Sequence, residues 1–489
     1  MAFNNPETAL ESDDYLHIAR RLLKLWSPQY PKMSTVWNLY GEWWKYEWSG
    51  KGKKMGVWKR LSVEQMDNHV RRFMEGALVR TGREDEQGEP VLTRYKMCIR
   101  HVREILAAMK SLVWFENEQT PIWLRREGEE IPSDPNWTIA FKDKLVDVRK
   151  SAEKGEFVTM DRTPKWFDLT YVPVQFEVGY GCPLWKRCLE EWGNGDEGWG
   201  ELLQKWFGYC LMAERRYAKI LLMHGSSRAG KGVISGVLQK LMSREVIRSP
   251  RALDLTGAHA LEGFEHSRLL VLPEWTEMDQ KGQSIVAGLM KNIVGQDWVS
   301  INPKGRTIRH NVKLGCAPMI QANEYPILND NRGAFSIKVV ILPFTKNMLE
   351  EGKVDDHLDE KLEKELPGIA AWAVEGAMKL WACESKDRWK MTPKGEERMK
   401  EFRALLNPID TFLQARFVKS ATSFVPLEML RREWEIWKDQ NKCPMKIHDN
   451  QLAVTVVEKS SWNLQRGRIH EGQRVVRGLA LARLKGYEV

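Results

Sequence analysis

AKILLMHGSSRAGKGVISGVLQKLM, residues 218–242, joins an apolar strand to a helix through a glycine-bearing turn. Within it the spacing Gly225-x4-Gly230-Lys231 is that of a phosphate-binding P-loop. Glycines at those places let successive backbone N–H groups curl round a phosphate chain, and the N-terminus of the following helix adds its dipole. The nucleotide-binding set is therefore Gly225, Ser226, Ser227, Arg228, Ala229, Gly230, Lys231, Gly232 and Val233, with the Lys231 ammonium placed to pair with the β and γ phosphates. One position departs from the usual loop. Gly232 follows Lys231 where a Ser or Thr hydroxyl ordinarily binds Mg²⁺, so the metal must be held differently. A glycine-rich turn in an unrelated α/β unit is the plainer alternative, and the flanking strand and helix argue against it.

From 217 to about 384 short apolar runs alternate with helical stretches, the pattern of a parallel-sheet α/β domain. HSRLLVLPEWTEMD (266–279) reads as an apolar strand ending in Glu274, a catalytic carboxylate placed to reach Mg²⁺ or to polarise an attacking water beside the loop. Glu277 and Asp279 are its substitutes, and an ordinary exposed acid at a strand end is the alternative. IVGQDWVSINPKGRTIRHNVKLGC (293–316) gives two alternating strands around Asn302-Pro303-Lys304-Gly305-Arg306, a hairpin with a cationic tip. Taken alone that tip is most simply a solvated turn. Carried into a channel, Lys304 and Arg306 are placed to grip DNA phosphates. APMIQANEYPILND (317–330) ends its strand at Asn323, whose amide is placed to orient a water or contact a γ-phosphate, and GAFSIKVVILPF (333–344) follows.

The 489-residue chain, 43% hydrophobic, can bury several cores, and its length favours about three domains. Lys and Arg number 75 against 66 Asp and Glu, a formal +9 that suits a polyanion partner without proving one. MAFNNPETALESDD at the start lacks a basic segment followed by an apolar core, and no apolar run approaches a membrane-spanning length; a cytoplasmic protein with no membrane partner is expected. Cys98, Cys182, Cys188, Cys210, Cys316, Cys383 and Cys443 never form a C-x-x-C pair, which predicts reduced thiols rather than a zinc site. Helical spacing marks 16–27, 63–78, 93–112 and an amphipathic stretch near 198–213; GEWWKYEWSG and GVWKRLS read as strands, and 113–185 as irregular. The expected boundaries are 1–165, 166–216, 217–384, a charged linker 385–405, and 406–489 with two helices and a basic strand-like end. Residues 459–485 carry seven Lys or Arg against the single acid Glu471, which favours DNA contact at Arg466, Arg468 and Arg474 over a solvated basic face. Most of the 22 tryptophans stand at helical spacing among apolar residues and are expected in cores rather than as stacking platforms for bases.

Taken in order, CPLWKRCLEEW and GWGELLQKWFGYCLM, the loop GSSRAGKG, the strand RLLVLPE, the hairpin with Lys304, QANEYP and the tail LDEKLEKELPGIAAWAVEGAMKLW resemble the superfamily 3 helicase domain of phage and plasmid primase-type replication proteins, within the AAA+ ATPases. The resemblance covers most of the chain. It implies an α/β fold: an AAA+ P-loop ATPase core with an N-terminal mainly helical collar domain and, at TFLQARFVKS through RGRIHEGQRVVRGLAL, a C-terminal winged-helix-like domain. It further implies a hexameric ring with ATP and Mg²⁺ between subunits, moving on single-stranded DNA at a fork or origin, with a polymerase or primase as a further partner and a bacterial host cytoplasm as its place. By position Lys231 is similar to the Walker A lysine, Glu274 to the Walker B acid, Asn323 to the sensor and Lys304 to the channel hairpin residue. The family's trans-acting arginine falls where this chain has Lys338, which keeps the charge but loses the bidentate fork; Arg332 is a nearby candidate for the same task. Pro273 also stands where many such ATPases carry a second acid. Residues 1–150 show no zinc-ligand cluster and no evident metal-binding carboxylate motif, so primase activity is expected to be absent.

Three functions compete on these residues: a DNA-translocating ATPase, a nucleotide-gated initiator or helicase loader that hydrolyses poorly, and a small-molecule kinase suggested by Gly-Lys-Gly. The kinase leaves the hairpin and the basic terminus unexplained and shows no arginine-rich lid.

Overall fold

Three of the parallel strands around the Gly225–Lys231 turn, ILLM, LLVL and VVILPF, are continuous apolar runs with every side chain buried, as a sheet covered on both faces requires. In the computed structural model the described residues are 8–482 except 12, 28–33, 40, 50–54, 116–119, 125–127, 274, 276, 277, 306, 327, 329–332, 442–446, 449, 450, 470 and 471. Two units, Met1–Phe176 and Glu177–Val489, divide the chain.

The first unit runs α1 (Tyr15–Trp26), β1 (Val36–Leu39), β2 (Glu42–Ser49), β3 (Met55–Leu61), α2 (Val63–Met74), β4 (Leu78–Glu84), β5 (Pro90–Arg94), α3 (Ile99–Leu112), β6 (Trp114–Phe115), β7 (Ile122–Trp123), β8 (Thr138–Ala140), β9 (Lys144–Asp147), α4 (Val148–Lys154), β10 (Thr159–Asp161) and β11 (Trp166–Phe167). Its largest core sets Ile18, Leu22 and Leu23 of α1 against Val70 of α2 and Val102, Ile105 and Met109 of α3. The helix expected over 63–78 starts on a reciprocal Ser62–Gln65 capping box and stops at Met74, ahead of Gly76 at φ 72°. The helix expected from 93 begins only at Ile99, because the residues before it pair with β4 as strand β5. Trp44, Trp58 and Phe167 pack edge to face, and the Trp58 Nε1 donates to the Trp166 carbonyl at 2.8 Å. The stretch 113–185, read as irregular, holds short strands and α4 between its prolines.

The second unit opens with α5 (Pro183–Gly193) and α6 (Trp199–Leu211), then β12 (Ile220–Gly225), α7 (Lys231–Lys240), β13 (Ile247–Arg248), β14 (Leu269–Leu272), α8 (Gln280–Gly295), β15 (Trp298–Ile301), β16 (Arg309–Lys313), β17 (Ala317–Ala322) and β18 (Val339–Phe344). It continues with α9 (Leu358–Lys364), α10 (Leu366–Ala382), α11 (Pro393–Leu406), α12 (Pro408–Arg416), β19 (Phe417–Pro426), α13 (Leu427–Gln440), α14 (Leu452–Lys459), β20 (Gln465–Arg468) and β21 (Arg474–Leu481). The central sheet is wholly parallel in the order β13-β14-β17-β12-β18, so the α/β expectation holds. The stretch near 198–213, expected to be amphipathic, is α6, buried from Leu202 through Leu211; Lys205 is accommodated by a 2.8 Å ion pair to Glu201.

The charged stretch 385–405, expected to be a linker, carries α11. Thr392 caps it and Pro393 opens it, and Met399, Phe402 and Leu406 enter the same core as the sheet residues Leu222, Ile320 and Ile341. Their spacing puts one apolar stripe under a charged surface, which is why composition read as a connector. The C-terminal part packs α12, α13 and α14 on an antiparallel sheet ordered β19-β21-β20, around Phe412, Trp434, Val476 and Leu479. The six cysteines among the described residues are free, seven tryptophans are under 2% exposed as expected of core residues, and no described helix is long and apolar enough to cross a membrane.

Candidate functional site

The turn between β12 and α7 is held by close approaches that only glycine permits. A Cβ on Gly225, which takes φ +146°, would lie 1.9 Å from the Phe344 carbonyl oxygen on the neighbouring strand β18. A Cβ on Gly230, at φ +97°, would lie 2.6 Å from the Trp192 indole of α5. Gly230 caps α7 without a side chain, so no cap side chain occupies the first N–H groups of that helix. Lys231, its first residue, is 8% exposed, and its Nζ donates to the Gly225 carbonyl at 2.6 Å, the Ser226 carbonyl at 2.7 Å and Asn323 Oδ1 at 2.9 Å.

A cavity of about 770 Å³ opens on this turn. Its walls are Ser227 through Val233, Pro273 after β14, Gln321 and Asn323 at the end of β17, Leu184, Arg187, Cys188, Glu191 and Trp192 of α5, and Met348, Lys353–Asp356, Leu358 and Asp359. It lies outside the carboxyl ends of parallel strands, the place where open α/β sheets receive ligands, and its size suits a small-molecule site. Sequence reasoning missed two of these walls. The Trp192 contact with Gly230 has no signal in the motif, and the acidic strap 355–359 falls between the last strand and the helical tail. Lys361 bonds Asp355 at 2.6 Å and holds its carboxyl below the usual range.

The structure thus brings Lys231 and Asn323 together, 92 residues apart in sequence. Glu274, Glu277, Arg306 and Arg332 lie outside the described residues; Asp279 caps α8, accepting from Gly282 N at 2.8 Å. Lys338 stands before Val339, which pairs with Ile220 at the start of β12, whereas the loop begins where Gly225 faces Phe344. Five strand residues of about 3.3 Å each separate the two ends, so Lys338 does not reach this chain's own cavity. Beside it, burial and then the charges of Lys338 and Arg403 lower the pKa of Lys219, whose Nζ donates to the Ile337 carbonyl at 2.8 Å.

β15 and β16 pair antiparallel as expected, but the strands end at Ile301 and resume at Arg309, so the connection is longer than the five-residue turn read from the sequence. Lys304 is exposed at the tip beside Gly305 at φ 69°. The loop is tied to the preceding segment by His259 Nδ1 at 2.7 Å from the Asn302 carbonyl, and by Lys304 N donating to Glu262 at 3.3 Å. Arg466, Arg468 and Arg474 are exposed on β20 and β21, with Arg468 directly opposite Arg474, an unfavourable like-charge pairing that a polyanion relieves.

His224, immediately before the loop, stacks on Tyr325 at 3.8 Å and 11°, and Tyr325 stacks on Phe402 of α11 at 5.3 Å. Burial, then the charge of Arg398, lowers the imidazole pKa from 6.5 to about 4. The unfolded chain takes up this proton near 6.5 and the folded chain only near 4, so the contribution to stability is full above that window and lost as pH falls through it. His224→Phe keeps the stack and removes the titration. Its unfolding midpoint is expected to fall less steeply between pH 6.5 and 4 than that of the wild type; equal slopes in the two proteins would show that His224 does not titrate in this way.

Residues 223–333 match the profile of a family of unknown function (DUF5906). No curated protein matches the chain. Among solved structures, the A form apo structure of the NrS-1 C terminal region has a TM-score of 0.47 at 11% identity, covering 94% of this chain and 100% of that one. The apo structure of NrS-1 C terminal region (305-718) has a TM-score of 0.49 at 10% identity, covering 94% of this chain and 99% of that one.

Proposed function

We propose that this chain is an ATP-driven DNA helicase of the superfamily 3 type, assembling as a ring, with an AAA+ core that hydrolyses ATP between subunits and a hairpin that moves single-stranded DNA. The observation that carries the reading is the Lys231 ammonium held against Asn323 at the mouth of a cavity outside the strand ends. β17, which ends at Ala322 just before Asn323, lies between the loop-bearing strand β12 and β14, which precedes Glu274 in sequence; that order supports a γ-phosphate or water-orienting role for Asn323 and a Walker B role for Glu274. Lys338, remote from its own cavity, suits a residue that acts on the nucleotide of a neighbouring subunit. The order α12-β19-α13-α14-β20-β21 supports a winged-helix reading, with Arg466, Arg468 and Arg474 on the terminal hairpin facing DNA.

The loop offers Mg²⁺ no hydroxyl at Gly232, and no cluster of three metal-ligating side chains occurs among the described residues. Mg²⁺ would enter with the nucleotide, held by phosphate oxygens and a carboxylate such as Glu274. The same glycine, with Lys338 in place of an arginine, favours the second reading, a nucleotide-gated initiator or loader with slow hydrolysis.

ATP hydrolysis measured at low salt with Mg²⁺, with and without single-stranded DNA, separates the two. The helicase reading expects turnover to rise several-fold with DNA; no rise leaves the loader. Lys304→Ala is expected to lose most of that DNA-dependent rise and to reduce the salt slope of DNA binding by about one phosphate contact. A variant with full stimulation and an unchanged slope would remove Lys304 from the DNA path.

A further inference from the structure

Alternation along β15 sends Val299 and Ile301 into the core and leaves Trp298 and Ser300 on the outer face. Trp298 is 61% exposed, more than any other tryptophan among the described residues. Its cross-strand partner is Lys313, whose Nζ lies 4.5 Å from the centre of the indole. On the same two strands Ser300 Oγ lies 3.0 Å from His310 Nδ1, and Lys304 is exposed at the tip. Two acids that reach the hairpin are engaged: Glu265 pairs with Arg309 at 3.1 Å, and Glu262 accepts from Lys304 N; Asp297, next to Trp298 in sequence, is exposed. The hairpin therefore presents an aromatic plane backed by a cation, with Lys304 exposed toward its tip.

We propose that this outer face is a binding platform for single-stranded DNA, on which a base stacks on the open side of Trp298 while Lys313 lies beneath the ring and pairs with an adjacent phosphate. The proposal rests on the DNA-binding reading above and adds a stacking contact to the phosphate contact of Lys304. Three features favour a nucleic acid strand over an apolar protein surface. The indole is paired with an ammonium and not with an apolar side chain; its neighbours on that face are polar; and base stacking accepts any sequence, as a translocating strand requires. Lys313 on the ring is itself a cation–π contact that base stacking on the opposite face leaves in place.

The test compares a fluorescent oligo(dT) with an abasic oligomer of equal length, using full-length protein with a non-hydrolysable ATP analogue. Trp298→Ala is expected to weaken oligo(dT) binding about 10-fold, the loss of one stacked base, and to leave abasic binding as in the wild type. Trp298→Phe should recover most of the oligo(dT) affinity. Lys313→Gln should weaken both oligomers and lower the salt slope. Equal oligo(dT) affinity in Trp298→Ala and wild type overturns the proposal, as does equal loss on both oligomers. A fall in sedimenting mass in Trp298→Ala also overturns it, assigning the face to a subunit contact. Nucleotide affinity is read on the same samples. Wild-type protein that binds nucleotide but neither oligomer defeats the platform alone, whereas wild-type protein that binds neither nucleotide nor DNA defeats the parent reading as well.

Discussion

Lys231→Ala is expected to weaken nucleotide binding by about 100-fold or more and to bring ATP hydrolysis to background, the loss of about 3 kcal/mol of charge-assisted contacts to phosphate. Among the ammonium's partners are two backbone carbonyls of the loop and the Asn323 amide, neutral oxygens that a triphosphate outcompetes by charge. Asn323→Ala makes the discriminating contrast. It removes the one side-chain acceptor of the three, so nucleotide affinity is expected to stay within a few-fold of wild type while turnover falls by about 100-fold, as when one oriented polar group is taken from a reacting centre. Equilibrium binding of a fluorescent nucleotide and steady-state hydrolysis are measured on both variants. Wild-type affinity in Lys231→Ala would end the P-loop assignment; equal loss of affinity in both would make Asn323 a binding group rather than a sensor.

The strand, turn and helix at 220–240 were legible because their signals are local. Gly225, Gly230 and Lys231 sit at fixed offsets, the apolar strand before them is buried on both faces and the helix after them buries Ile234, Val237 and Leu238, so strand, turn and helix fall where the sequence places them. Asn323 was marked by a strand-end argument and by the family resemblance, and the sheet order brings β17 beside β12 and the Asn323 amide onto Lys231. The rest of the cavity depends on long-range packing that leaves no periodic trace. Trp192 seals Gly230 from 38 positions upstream, and the strap at 355–359 arrives from beyond the last strand. The charged stretch 385–405 misled for a different reason. Its stripe of Met399, Phe402 and Leu406 is narrow, and lysines and glutamates outnumber it, although Tyr325 and the core beneath need that stripe to be covered. Trp298 inverts the rule that placed most tryptophans in cores, and only its strand register shows it.

Gly376→Ala is expected to destabilise the second unit, and Gly288→Ala to stabilise it, although both replace a glycine inside a helix. Helix propensity alone favours alanine by about 1 kcal/mol at each position. Gly288 on α8 has nothing within 4 Å of a built Cβ, so that gain is kept. On α10 a Cβ at Gly376 would lie 2.0 Å from the Gln204 carbonyl oxygen of α6, and a Cβ at Gly208 on α6 would in turn lie 2.3 Å from the Ala377 nitrogen. Both obstacles are backbone, which cannot rotate aside, so the two helices must part; overpacking of this kind costs about 3 kcal/mol and outweighs the propensity gain. A net loss of about 2 kcal/mol in a unit of this length lowers the unfolding midpoint by about 3 °C, read by calorimetry. The displacement also reaches the cavity beside Gly230. Trp372 of α10 packs edge-on against Trp185 of α5 at 5.6 Å, and α5 carries the Trp192 that closes on Gly230. Gly376→Ala should therefore weaken nucleotide binding as well as stability, while Gly288→Ala should raise the midpoint; a midpoint rise in both would mean that α6 and α10 are not in backbone contact.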